Sequence, residues 1–589
     1  MGFNADIADA FETLAGLLEL TGANRFKVNA YAKAARVIEG LTENLASIEA
    51  EKLTAIEGIG KGIAEKIVEQ RTTGSIEELD GLLAELPPGL LGLMDIPGLG
   101  PKTVRMLWQQ LNVTDRDGLT RAIEDGSILA LPRMGEKAVE KIRKSMAFAS
   151  KSAERLPIGL AWPIAARILE ELRRVPGVQR AEAAGSLRRG AETIGDLDIL
   201  AVAEEPEAAR EAFCSMQGVT DILARGETKC AVRISVGNDL GRWSGVLGAS
   251  DQTVGVDLRL VPEASFGAAL MYFTGSKDHN VRLRERAQKI GSSLNEYGIT
   301  PVGTDDVEPR HGETEAAVFE ALGVPWVPPE LREDRGELGT PPPDDLITLE
   351  DIQAELHAHT TASDGLMSLD QLVEAAIARG FHTIAVTDHS KSSIQANGLS
   401  VERLREQREA IEDARDRFDD RIRILAGSEV DIYADGSLDY DDDILEWLDI
   451  VVASPHAALS QKPADATKRL LKAIEHPAVN VLGHPTGRII GRRSGLEPAM
   501  DELIAAAVEH DVALEINSHW LRLDLRDTHV RAAVEAGALI AIDCDVHAAE
   551  DFDNLRFGVM TARRGWLPRD RCVNTWDADA LQHWLRIAP

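Results

Sequence analysis

The chain has 589 residues, 44% hydrophobic and 27% charged, and no apolar run approaches the roughly 18 residues a membrane helix needs. This excludes wholesale disorder, collagen-like repetition and a membrane span, and the length points to several domains. Acidic residues outnumber basic ones by 97 to 64, a net charge of −33, and only 17 of the bases are lysine. Strong acidity with an arginine bias reads as a protein kept soluble in the molar salt of a halophile, where screening acts over about 3 Å. Cys214, Cys230, Cys544 and Cys572 are scattered with no CxxC, which argues against a disulfide framework or a cysteine-zinc site. The opening MGFNADIADAFETL has neither a basic stretch nor an apolar core, so a soluble cytoplasmic protein is expected.

Residues 1–150 read as helices joined by glycine turns, with apolar positions at helical spacing in IADAFETLAGLLEL and KAARVIEGL. With 22 acids and 17 bases, this part is less repulsive to a polyanion than 401–450, with 17 acids and 7 bases. Three segments share one form: AIEGIGKGIAEKI, DIPGLGPKTVRML and LPRMGEKAVEKI. Gly58 and Gly60, then Gly98 and Gly100, permit a tight turn into a helix whose free N–H groups suit a phosphate. Such contacts hold DNA backbone without reading sequence. The segments resemble helix-hairpin-helix motifs, and in the third, Arg133 stands where a glycine would be.

From about residue 180, RAEAAGS, DLDILAVA, KCAVRISV and VGVDLRLV read as strands. Asp196 and Asp198, two apart on a strand, share one face, and Asp257 alternates with Val256 and Leu258, so it joins them if the strands are neighbours. Three carboxylates without histidine favour Mg²⁺, and two such ions would clamp an in-line phosphoryl displacement. Ser186 and Arg189, just upstream, suit triphosphate oxygens.

At these residues the sequence resembles the family X DNA polymerases. GSLRRGAETIGDLD resembles their triphosphate and metal motif, and SFGAALMYFTGSKDHNVRLR their thumb. The resemblance implies nucleotide contacts from Gly185, Ser186, Arg189 and Gly195, exclusion of the ribose 2′-OH by Tyr272 and Phe273, and Gly275 near the sugar. It also implies Asn280 at the incoming base and Arg284 on the template side. Lys66 in IAEKI falls where the family's Schiff-base lysine stands, which implies an abasic-site lyase. A glycine-rich insertion between Val236 and Thr253 departs from the pattern and is expected as a surface loop.

The proline-rich, charged stretch 326–345 reads as a linker. After it, seven apolar strands alternate with amphipathic helices, which predicts a parallel (βα)7 barrel. Twelve of the 14 histidines lie here. His357, His359, Asp364, His389, Glu429, His456, His484, Asp545 and His547 fall at the carboxyl ends of strands, where barrel active sites assemble. Nine ligands exceed one tetrahedral ion and imply two or three Mn²⁺ or Zn²⁺, with Glu429 as the bridge. The remaining histidines lack this placement.

HAH, TDHS, GSEVDI, SPH, GHPTGR and DCDVH resemble the PHP (polymerase and histidinol phosphatase) domain, which implies a 3′-5′ exonuclease or 3′-end phosphoesterase, with Arg488 holding substrate phosphate. The expected domains are a helical DNA-end-binding domain (1–85), a fingers-like helical domain (86–152), a nucleotidyltransferase palm with a mixed sheet (153–262), a thumb (263–325), the linker (326–345) and the PHP barrel (346–589). The reading is a base-excision-repair polymerase, monomeric, acting on gapped or nicked DNA with deoxynucleoside triphosphates. The alternatives are a PHP phosphoesterase with a DNA-binding module and no polymerase activity, and a non-catalytic DNA scaffold.

Overall fold

The computed structural model describes residues 3–39, 45, 48, 50–54, 56, 59–73, 75–87, 89–94, 99–132, 134–136, 139, 142–143, 155–236, 253–302 and 307–586. Gly58, Gly98, Arg133 and insertion residues 237–252 lie outside them.

The N-terminal part includes helices α1 (Phe3–Thr21), α2 (Arg25–Glu39), α3 (Lys61–Thr73) and α4 (Pro101–Leu111). Two apolar clusters hold it together, one around Phe11, Tyr31, Ile38 and Ile67, the other around Leu99, Val104, Leu107 and Leu119. α4 begins at Pro101, whose missing N–H costs nothing in a first turn, and stops at Asn112, which takes a left-handed φ of 53°.

Next comes helix α5 (Ile158–Arg173) and a five-stranded sheet of β1 (Val178–Ala183), β2 (Asp196–Ala203), β3 (Val219–Arg225), β4 (Lys229–Ser235) and β5 (Thr253–Leu260), in the order β1-β2-β5-β4-β3. β2 and β5 run parallel while the other pairs are antiparallel, so the sheet is mixed as expected. Along β5, Val254, Val256, Leu258 and Leu260 are buried and the residues between them face outward. The short turn of helix α6 (Gly185–Arg188) lies between β1 and β2.

Helices α7 (Phe266–Thr274), α8 (Lys277–Lys289) and α9 (Glu315–Ala321) follow. The stretch read as a linker is packed rather than loose. Val327 and Leu331 enter the core of these helices, Arg332 is fully buried with Nη1 2.7 Å from Glu315, and Glu337 meets His279 Nδ1 at 2.7 Å. Prolines set the backbone of this stretch, but buried ion pairs to distant residues fix its place.

The remaining sheet has seven parallel strands in sequence order: β6 (Ala354–Glu355), β7 (Thr383–Val386), β8 (Arg423–Asp431), β9 (Ile450–Ser454), β10 (Val481–Leu482), β11 (Ala513–Asn517) and β12 (Ile540–Asp543). Just beyond the strands, Val546 N donates to the His357 carbonyl at 3.1 Å and His359 N to the Val546 carbonyl at 2.8 Å, so the last strand meets the first and closes the barrel. The strands read as unbroken apolar runs because helices cover one face and the barrel interior the other. One such helix, Leu369–Ala378, starts at Ser368, whose side chain caps Gln371 while Gln371 returns the bond.

The barrel and the five-stranded unit share a core. Ile490, Trp520, Leu521, Leu523 and Phe557 of the barrel pack into the cluster built on α5 and the sheet. Gly159 of α5 is required there, because a Cβ would sit 2.2 Å from the Trp520 ring. Burying Trp520, only 3% exposed, contributes on the order of 4 kcal/mol to this join. Among the described residues, no helix is long and apolar enough to cross a membrane.

Two candidate metal centres

The first centre is built on β2 and β5. Leu197 is fully buried, so Asp196 and Asp198 on either side of it turn to the open face. The register pairs Asp198 with Asp257 and Asp196 with Gly255. Burial, then repulsion from Asp257 and Asp196, pushes the Asp198 carboxyl up to about 6, while Arg259 and Lys229 counteract it. Asp257 is 2.5 Å from Lys229. A set of carboxylates that raises its own member's pKa is short of positive charge, which a metal cation would supply.

Gly185 packs against Asp198 and Gly195 directly precedes Asp196 in the chain, while Arg189 is turned to Glu333 and the Thr274 carbonyl. Gly185 has φ of 62°, and a Cβ there would meet Asp198 Oδ2 at 2.3 Å. Gly255, which sequence reasoning missed, plays the same part for Asp196, whose Oδ1 would lie 2.5 Å from a Cβ. Ser186 is half-buried, and Gly195 packs near Arg155. Arg189 places Nε 3.0 Å from Glu333 and donates Nη1 to the Thr274 carbonyl at 2.6 Å. Its neighbour Arg188 grips Glu315 with both Nη atoms, at 2.7 and 2.9 Å.

Near this face, Tyr272 and Phe273 meet edge to face at 5.2 Å, with Arg259 stacked 4.1 Å over Phe273. Gly275 ends α7 with φ of 68°. Asn280 donates Nδ2 to the Tyr272 carbonyl at 2.6 Å, and Arg284, one turn on, is exposed. Gly60 and Gly100 precede α3 and α4, each accepting the first helical N–H bonds, and both are exposed with open space where a Cβ would go. Lys66 on α3 is 2.7 Å from Glu69.

The second centre lies at the barrel mouth and converges on Glu429. Its Oε1 is 2.9 Å from His484 Nε2, 3.2 Å from His456 Nε2 and 3.4 Å from His357 Nε2. Its Oε2 is 2.9 Å from His389 Nδ1 and 3.6 Å from His359 Nε2. Asp545 Oδ1 reaches His359 Nε2 at 3.1 Å, and Asp364 Oδ2 reaches His547 Nε2 at 3.3 Å. All nine sequence-predicted ligands therefore meet. Three subsets hold their ligand atoms within 4.8 Å of one another: His359, Asp364, His389 and His547; His357, His359 and Glu429; and His389, Glu429 and His456.

Electrostatics fits a cluster of cations. Burial would raise the Glu429 carboxyl, but His456, His389 and His357 hold it well below its ordinary value. Burial, then the Arg522 charge, pushes His484 down to about 4, which leaves it neutral as a ligand must be. His357 Nε2, both nitrogens of His359, His484 Nδ1, Glu429 Oε2 and Asp545 Oδ1 are buried without a hydrogen-bond partner. So many orphaned lone pairs in one spot fit metal ligation.

Sequence reasoning missed the residues that orient these ligands. Glu515 Oε1 lies 2.6 Å from His357 Nδ1, and Asp431 Oδ1 lies 2.5 Å from His456 Nδ1. A signal existed for both: Asp431 follows Glu429 by two on one strand, and Glu515 is a charge inside the apolar run ALEIN. Arg488 requires correction. Its Nη1 meets Glu192 of the five-stranded unit at 2.8 Å and its Nη2 bonds the Leu523 carbonyl, so it joins two domains instead of facing the mouth. Arg522 stands at the mouth, with Nε 3.7 Å from Asp545.

Comparison with known proteins adds four family models: a helix-hairpin-helix domain over residues 3–76, a SAM-like helix-hairpin-helix tandem over 90–146, a DNA polymerase beta thumb over 269–333 and a PHP domain over 355–519. The DNA polymerase/3′-5′ exonuclease PolX of Bacillus subtilis (strain 168) is 38% identical over 582 residues, 99% of each chain. DNA polymerase lambda of Rattus norvegicus is 28% identical over 359 residues, 56% of each chain. A protein named as a probable phosphatase, from Thermoanaerobacter sp. (strain X514), is 26% identical over 247 residues, 39% of this chain and 94% of that one.

Proposed function

Because the chain belongs to the family X DNA polymerases that carry a PHP domain, similar along its whole length to PolX, we propose a division of labour between its two centres. The protein is a DNA polymerase and a 3′-5′ exonuclease. Nucleotidyl transfer is assigned to Asp196, Asp198 and Asp257, and removal of 3′ nucleotides to the nine barrel ligands. The observation that carries this is the presence in one chain of two separate, chemically different ligand sets, one all carboxylate and one histidine-rich.

Asp196, Asp198 and Asp257 would hold Mg²⁺ and the barrel set two or three Mn²⁺ or Zn²⁺, which when bound supply Lewis acidity at phosphorus and lower the pKa of water. In the palm, Ser186 and Arg189 take triphosphate oxygens, and Gly185 and Gly195 let the backbone approach. Tyr272 and Phe273 wall the sugar, with Gly275 beside it. Asn280 exchanges its bond to the Tyr272 carbonyl for the incoming base, and exposed Arg284 faces the template strand. Gly58, Gly60, Gly98 and Gly100 would hold DNA backbone through the helix N-termini that follow them. In the barrel, Arg522, beside Asp545, meets the phosphate, while Arg488 is engaged by Glu192.

Repair of gapped or nicked DNA, including base excision repair, fits this pairing of synthesis and trimming, with the protein acting as a cytoplasmic monomer. A lyase step at Lys66 requires release from Glu69, and borohydride trapping on an abasic duplex reads it. An adduct that persists after Lys66→Ala removes the assignment. The excess of acids supports a halophilic setting.

A gapped duplex with a labelled primer tests the whole reading. With deoxynucleoside triphosphates the primer lengthens, and without them it shortens from its 3′ end. Failure of the first removes the polymerase, and failure of the second removes the nuclease.

A further inference from the structure

The palm arginine assigned to the triphosphate is held from the barrel. Glu333 Oε1 lies 3.0 Å from Arg189 Nε and 2.7 Å from Nη1 of Arg564, a residue of helix α11 (Leu555–Arg564) in the barrel. Nη1 of Arg564 also donates to the backbone carbonyl of Arg189 at 2.8 Å. On its other edge, Arg564 meets Asp527 Oδ2 from Nε at 3.0 Å and Nη2 at 2.9 Å, and Arg335 Nη1 joins the same oxygen at 3.0 Å. Asp527 opens helix α10 (Asp527–Ala536).

The charges alternate along this line: Arg189, Glu333, Arg564, Asp527, Arg335. Arg564 is only 9% exposed. Although burial opposes it, Arg564 and then Arg189 hold the Glu333 carboxyl below its ordinary value. With Arg564 in place, Glu333 can orient the Arg189 guanidinium while its own charge is balanced from behind. Without it, a half-buried carboxylate would have Arg189 as its remaining counter-charge, and the guanidinium assigned to the triphosphate would be neutralised.

We propose that Arg564 is a positioning residue for nucleotidyl transfer, so that the barrel forms the rear wall of the polymerase's triphosphate pocket. This rests on the reading of Arg189 as a triphosphate ligand. The role is separate from the barrel's own chemistry, since Arg564 lies on an outer helix and its partners are Glu333, Asp527 and the Arg189 carbonyl. A charge-assisted pair of this kind aims its partner as well as neutralising it.

The test measures KM and kcat for deoxynucleoside triphosphates in the full-length protein, with thermal melting and 3′-end removal followed in parallel. R564M should raise KM about tenfold while kcat changes by less than about twofold, and 3′-end removal should persist. R189M should raise KM at least as much. The double variant E333Q/R564M removes the unbalanced carboxylate together with the arginine, and KM should return to within about threefold of the native value. Should R564M fail to fold, R564K keeps the charge, loses the fork, and should still raise KM about threefold. An unchanged KM in R564M or R564K, with R189M impaired, overturns the coupling and leaves the role of Arg189 standing. An unchanged KM in R189M removes that role and the proposal with it. A raised KM that the double variant does not restore means Arg564 acts through packing, which also overturns the proposal.

Discussion

Asp198 and Asp257 stand directly opposite each other on adjacent parallel strands, and the two carboxylates share the face that Asp196 also presents. Burial and this opposition raise the Asp198 carboxyl to about 6. A raised carboxyl binds more protons folded than unfolded, so metal-free stability falls as pH rises from about 4 through 6. Metal-free Asp198→Asn should therefore melt higher than the native protein at pH 7.5, and the two should converge below about pH 4. The same variant should lose primer extension by roughly a thousandfold. Melting curves in chelator across this range check it, and coincident curves at every pH would contradict it.

Glu515 should govern metal affinity at the barrel without touching the palm. Its 2.6 Å bond to His357 Nδ1 fixes which nitrogen faces the mouth. Glu515→Gln should weaken barrel metal binding about 10–100-fold, read by competition with a metal indicator, while primer extension persists. Unchanged affinity would mean that packing alone orients His357.

The thumb carries a pH-dependent clasp of the opposite sign. Burial would raise Glu315, yet Arg188 and Arg332 bring its carboxyl down to about 2. A depressed carboxyl contributes stability that is fully present above about 4.5 and lost as pH falls through about 2. Glu315→Gln should destabilise at pH 7 by about 3 kcal/mol at most, and the gap should close on acidification. A gap that stays constant with pH would show that the pair contributes through shape alone.

Much of both centres could be read from residues, and what could not has a common cause. The barrel strands stood out because burial on both faces makes them uniformly apolar, which leaves His357, Glu429 and His484 conspicuous at their ends. The i, i+2 rule placed Asp196 and Asp198 together, but only the sheet order sets β5 beside β2, because insertion residues 237–252 obscure the spacing. Arg488 and the 326–345 stretch misled for one reason. Glu192, Glu315 and His279, which hold them, belong to other parts of the chain, and periodicity carries no information about such partners.

The net charge of −33 sets a further expectation. Raising NaCl from about 0.1 M to about 2 M screens the self-repulsion of the acidic surface and should raise the melting temperature by several degrees. Activity should hold at the higher salt, because the DNA contacts assigned here are local N–H and arginine contacts more than long-range attraction. Unfolding or inactivation in 2 M salt, with full function in dilute buffer, would refute the halophilic reading.

The most direct measurement pairs Asp257→Ala with His357→Ala on one gapped duplex whose primer is 5′-labelled, scoring lengthening and shortening for each. Asp257→Ala should shorten the strand and never extend it, and His357→Ala should extend it and never shorten it. Extension by Asp257→Ala, or shortening by His357→Ala, would contradict the assignment of one reaction to each centre.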